Sequence, residues 1–170
     1  MRAQVDLLTW LVNRWNVQDQ CFIIDGHRLE IELEDIYFLT SLSKMGEQIS
    51  LFGTRPGGQT VTSLRQEFYN DQVDPREKCI DIKTIICLKL KFIAFTVTRL
   101  CGSAVLHVAT GSQMRIAVDY FRGTIFNWCE AVLANVKGQL TRAKNGQLKN
   151  IGYGFLLVSF GLETVPMLVP

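Results

Sequence analysis

A mainly α-helical single domain with a small β-hairpin after its first helix is the fold class that the sequence predicts, and three observations predict it. Apolar residues recur at spacings of three and four through most of the chain. One Asp-Gly step, Asp25-Gly26, sits between two β-prone runs. The chain has 170 residues, 48% of them hydrophobic and 20% charged, which is the size and composition of one globular domain. With 4 prolines and 13 glycines it holds no low-complexity linker, and no internal repeat is visible.

Val5, Leu8, Val12 and Trp15 keep the period of one helical face, and Leu7, Trp10 and Leu11 widen it, so the first helix is expected to end near Asn16. Cys21-Phe22-Ile23-Ile24 and His27-Arg28-Leu29-Glu30-Ile31-Glu32 then flank Asp25-Gly26, whose two positions favour positive φ. In the second run Leu29 and Ile31 face one side and Glu30 and Glu32 the other, a strand with a dry and a wet face.

From Leu33 the period turns helical again, with Ile36, Leu39 and Leu42 on one face and Glu34 and Asp35 in the first turn, where carboxylates suit the helix dipole. Gly46, Gly53 and Pro56-Gly57-Gly58 punctuate an irregular stretch. Ser63-x-x-Gln66 reads as a capping box opening a short helix through Phe68. Residues 71–78, with Asp74-Pro75, form the expected internal boundary. Beyond it, helices are expected over about 82–109, 113–139 and 154–163, with Gly111, Gly138 and Asn145-Gly146 between them. The most apolar segment, 84–109, is interrupted by Lys89, Lys91 and Arg99, so it reads as a buried core helix and not as a membrane span.

The net charge of +2 conceals an asymmetry. Residues 1–80 carry 8 Lys/Arg against 12 Asp/Glu, and residues 81–170 carry 10 against 4. A basic second half favours anionic partners, although such an imbalance is also common in plain globular domains. The five cysteines, Cys21, Cys79, Cys87, Cys101 and Cys129, form no CxxC pair and lie mostly among apolar neighbours. They are expected as buried free thiols in a reducing compartment, nucleus or cytosol.

Three ordered segments resemble a known family. The first is Leu11-Val12-Asn13-Arg14-Trp15 followed by the hairpin and by Leu33-Glu34-Asp35-Ile36. The second is Asn127-Trp128-Cys129-Glu130-Ala131-Val132-Leu133-Ala134, and the third runs from Gly152-Tyr153-Gly154 through Glu163 and Val165-Pro166. Together they resemble the plant mobile domain, a helix-rich module spread by plant transposable elements and often labelled aminotransferase-like. The motif residues are Trp10, Arg14, Trp15, Leu33, Glu34, Asp35, Trp128, Glu163 and Pro166. The chain departs from the family at Glu32, where threonine is usual, at His27-Arg28, at Cys129 and at Thr164, which marks a divergent copy, transposon-borne or a relic. Loss of a hydroxyl N-cap at Glu32 is expected to leave the second helix start less well defined. The end at Val169-Pro170, just after a family motif, is expected to mark a truncated copy. The resemblance implies a non-catalytic nuclear interaction module linked to transposable-element silencing, genome integrity and meristem maintenance, with a protein partner, in some relatives a phosphatase-like one.

No catalytic centre, cofactor site or metal site is expected. Asp25, Glu30, Glu32, Glu34 and Asp35 invite comparison with transposase acids, but strand alternation and helix-start electrostatics account for them. Cys101 and His107 are about 240° apart around a helix, and His27 sits beside a turn, so no nucleophile–base pair forms. Gly146, Gly152 and Gly154 lack phosphate-loop spacing. A pyridoxal phosphate enzyme needs a Schiff-base lysine, a pyridinium partner and a phosphate cradle, which the chain does not offer as a set. The alternative function is DNA or RNA contact through Lys137, Arg142, Lys144 and Lys149, a stretch with no acid between Glu130 and Glu163. Trp10, Trp15 and Trp128 are expected as core anchors.

Overall fold

The computed structural model describes residues 2–49, 79–100, 108–147, 157 and 159–160. Among them the elements run α1 (Arg2–Arg14), β1 (Trp15–Asn16), β2 (Cys21–Ile24), β3 (His27–Leu29), α2 (Leu33–Thr40), β4 (Cys79–Asp81), a 3-10 turn (Ile82–Thr84), α3 (Leu88–Leu100), β5 (Val108–Thr110), α4 (Gly111–Phe121) and α5 (Trp128–Lys144). The protein is mainly α-helical. It divides into two compact units, one comprising Met1–Lys44 with Trp128–Pro170, the other Met45–Asn127. The expected boundary at 71–78 and the expected helix over 63–68 lie outside the described residues.

In the first unit, α1 ends at Arg14 because the chain turns there into an antiparallel sheet ordered β1-β2-β3. Asn16 makes the first reversal: its Oδ1 accepts from the backbone N–H of Gln18 and Asp19 at 2.9 and 3.2 Å. β2 and β3 pair across Asp25-Gly26, with Ile24 opposite His27 and both turn residues at positive φ (50° and 84°). β3 stops at Leu29, yet the alternation persists to a buried Ile31 between exposed Glu30 and Glu32. The core gathers Leu11, Trp15, Phe22, Ile24 and Ile36 with Val132, Val136 and Leu140 of α5, which packs on α1, β1 and α2.

The start of α2 is better defined than the loss of a hydroxyl cap suggests. Asp35 Oδ2 accepts the backbone N–H of Glu32 at 2.7 Å, so a carboxylate three residues on satisfies an otherwise orphan donor.

Two expected helices are corrected. Residues 82–109 are not one helix: α3 begins at Leu88, and Val108–Thr110 pairs antiparallel with Cys79–Asp81, burying Ile80 and Ala109 opposite each other. The expected helix over 113–139 is two. α4 starts earlier, where Thr110 Oγ1 accepts from Gln113 N and Gln113 Oε1 accepts from Thr110 N, a reciprocal cap. It ends at Gly123 (φ 103°), where the N–H groups of Gly123 and Thr124 bond back to the carbonyls of Tyr120 and Asp119. Gly138 is no breaker but lies inside α5, which closes on Asn145-Gly146 with the same pattern of backward hydrogen bonds. Of the stretch expected helical over 154–163, residues 157, 159 and 160 are described and are helical.

Candidate functional site

α3 carries exposed apolar side chains that core packing does not explain, as α2 does at Phe38. Leu90, Ile93, Ala94, Val97 and Thr98 form its buried face and pack against α4 within the second unit. Leu88, Phe92 and Phe95, at i, i+4 and i+7, form another apolar stripe on a different face. Leu88 is 78% exposed and Phe92 72%, while Ile86 just before the helix is 75% exposed. The expectation of a buried core helix therefore holds for one face of α3 and fails for the other. The two stripes interleave in the sequence, so together they look like continuous hydrophobicity, and only packing separates them.

Beside the stripe lies a groove of about 370 Å³ lined by Ile82, Lys83, Leu88, Lys91, Phe92 and Phe95. The 3-10 turn fixes Ile82 and Lys83 there, because Asp81 Oδ1 accepts the Lys83 N–H at 2.9 Å. Lys83 and Lys91 have no ion-pair partner among the described residues. Arg99 sits 5.7 Å from the Phe95 ring centroid, and Lys89 the same distance from that of Phe121.

Several residues that carry the sequence resemblance have structural work in the first unit. Trp15 is a fully packed anchor: its Nε1–H donates to Thr141 Oγ1 at 3.1 Å and its ring meets Phe22 edge-on at 5.0 Å. Phe22 in turn faces Phe160 at 6.1 Å. Trp128 is buried. Trp10, expected as a core anchor, is only half-buried and instead carries the Arg14 guanidinium 3.7 Å over its ring. Leu33 is half-buried, Glu34 pairs with Lys44 at 3.3 Å, and Asp35 caps α2. Glu163 and Pro166 lie outside the described residues.

Of the basic stretch, Lys144 Nζ donates to the Asn13 carbonyl at 2.5 Å and Arg142 Nε to the Gly138 carbonyl at 3.4 Å. Lys144 thus serves an exposed carbonyl in the last turn of α1, and Arg142 a part-buried one within α5. Lys137 is half-buried on α5, and Lys149 lies outside the described residues.

The cysteines divide. Cys21 and Cys129 are buried, as expected of most of the cysteines, whereas Cys79 and Cys87 are exposed; Cys101 and His107 lie outside the described residues. Cys129 occupies a close approach between α5 and the end of α2: its Sγ–H donates to the Leu42 carbonyl at 3.0 Å, and its N–H donates to that of Ser43 at 3.1 Å. Burial pushes its thiol above the ordinary range, the Lys44 charge opposing and the Glu34 charge adding to the shift. His27 is exposed, as are Asp25, Glu30 and Glu32. Among the described residues no three His, Cys, Asp or Glu side chains converge as a metal site requires, and no described helix is long and apolar enough to cross a membrane.

Residues 1–158 match the model of a family described as Domain of unknown function (DUF8566), and the chain belongs to that family. No curated protein and no solved structure matches it.

Proposed function

We propose that this DUF8566 protein is a non-catalytic interaction module that receives a protein partner on α3. The observation that carries the reading is the exposed apolar stripe of Leu88, Phe92 and Phe95 beside a groove, since a helix apolar on both its buried and its outer face calls for a cover. The non-catalytic half rests on the occupations of the candidate groups. Asp35 caps a helix, Glu34 pairs with Lys44, and the Cys129 thiol is buried and held protonated, whereas nucleophilic cysteine needs the thiolate.

The three sequence segments described above further support a divergent plant-mobile-domain-like protein of transposon descent, with the whole chain acting as one functional domain. In that reading it works in the nucleus, in silencing of transposable elements, genome integrity or meristem maintenance, beside a partner that includes phosphatase-like proteins. The alternative is DNA or RNA contact through Lys137, Arg142, Lys144 and Lys149. Two of those cations already serve backbone carbonyls, which favours the protein partner.

Affinity capture from plant nuclei, read by mass spectrometry, tests the proposal. Wild type and an Arg142→Ala/Lys144→Ala/Lys149→Ala variant should recover the same nuclear proteins, and Phe92→Ser should lose them. Recovery of abundant cytosolic proteins alone would count against a nuclear module. A salt-sensitive gel shift abolished by the triple substitution, with capture unaffected by Phe92→Ser, would replace it with the nucleic-acid reading.

A further inference from the structure

The α3 groove has a chemistry specific enough to name what fills it. Its floor is apolar, and its two charged lining residues are both lysines. Across residues 79–100 the cations are Lys83, Lys89, Lys91 and Arg99, and the single acid is Asp81, which accepts the Lys83 backbone N–H. Leu88, Phe92 and Phe95 span about 10 Å along the axis, two turns of helix. That is the length over which an amphipathic helix sets its own i, i+4 and i+7 anchors.

We propose that the groove takes an acidic amphipathic helix of a partner protein. Its apolar residues seat against Leu88, Phe92 and Phe95, and its flanking carboxylates pair with Lys83 and Lys91. The inference rests on the interaction-module reading and adds the chemistry of the partner to it. The apolar anchors supply most of the affinity, while Lys83, exposed, and Lys91, half-buried, choose the sign of the partner's charge and speed its approach. A second copy docking through the same face would set lysines against lysines, which disfavours a two-fold pair here.

The test uses the full chain and three fluorescein-labelled peptides, read by anisotropy at physiological salt. The first is an amphipathic helix with leucine on one face and glutamate elsewhere. The second has lysine in place of glutamate, and the third scrambles the first. The acidic helix should bind, the other two more weakly by about tenfold or more. Phe92→Ser should weaken it by about the same factor. Lys83→Glu with Lys91→Glu should invert the preference towards the lysine peptide. Circular dichroism checks that these surface variants remain folded.

An unchanged preference after the double charge reversal, or equal binding of the scrambled peptide, would overturn the proposal. Equal binding of the acidic and lysine helices, both lost in Phe92→Ser, would overturn the acidic partner while leaving α3 as the docking face. Three outcomes would each assign the groove to another occupant or to none, and so overturn it. These are no peptide binding at all, a dimer abolished by Phe92→Ser in sedimentation, and binding to anionic vesicles abolished by the same change. The interaction-module reading is judged separately, by whether Phe92→Ser loses the nuclear proteins.

Discussion

Gly46 lies at φ 115°, and a Cβ built on it would stand 2.3 Å from the Ile125 carbonyl oxygen and 2.8 Å from the Phe126 nitrogen. Those atoms are backbone, so no rotamer change relieves the contact. The close approach exists because Glu47 N–H donates to Ile125 O at 2.8 Å and Asn127 N–H to Glu47 O at 3.0 Å, a parallel bridge between Glu47 and Phe126. Gly46→Ala should therefore cost the positive-φ strain, about 1–2 kcal/mol, together with most of two hydrogen bonds worth about 1 kcal/mol each net. Gly123 provides the control in the same unit. Its φ of 103° is similar, but nothing lies within 4 Å of an added Cβ, so Gly123→Ala should cost the strain alone, about 1–2 kcal/mol. Urea unfolding of the two variants, with amide exchange at Glu47 and Asn127, measures the difference. The reasoning is refuted if the two variants lose equal stability within about 0.5 kcal/mol, the scatter of ordinary surface changes, or if exchange at Glu47 stays at the wild-type rate.

Two further outcomes follow from the first unit. Thr141→Val should leave the Trp15 indole N–H buried without its partner and cost about 1–3 kcal/mol. Adding Trp15→Phe should cost less than the two single changes together, measured as a coupling energy by denaturant unfolding; strict additivity would remove the hydrogen bond from the account. For Cys129, the folded thiol holds its proton at a pH where the unfolded thiol has lost it, so unfolding releases a proton and stability falls as pH rises above the ordinary thiol range. Cys129→Ala should flatten that alkaline decline, and in alkylation of the native protein Cys79 and Cys87 should react before Cys129. A decline of the same slope in the variant would show that the thiol does not contribute.

The legible parts of the fold are those written in local spacing. Leu8 and Leu11 mark the inner face of α1 by period, with Trp15 buried just beyond its end, and Asp25-Gly26 marks the turn between β2 and β3 by φ preference alone. The start of α4 is not among them: the helix expected over about 82–109 runs up to Thr110 and hides the Ser/Thr-x-x-Glu/Gln spacing by which Thr110 and Gln113 cap each other. β4 and β5 are different. Val108–Thr110 becomes a strand because Cys79–Asp81 pairs with it from nearly thirty residues away, and no local window contains that partner. The break at Gly123 competes in the sequence with Gly138, and the two are told apart by conformation, since Gly123 takes a positive φ and Gly138 sits within α5.

The sequence by itself determined a mainly helical protein, because amphipathic periods and caps are near-neighbour properties. It also carried the charge reversal between the halves, which is composition alone. Tertiary structure decided which apolar residues are core. Leu90 and Phe92 are both large hydrophobic residues of one helix, yet one is fully buried and the other is 72% exposed. Their side chains leave α3 in nearly opposite directions, about 200° apart, and only the packing of α4 against one side separates core from candidate docking surface.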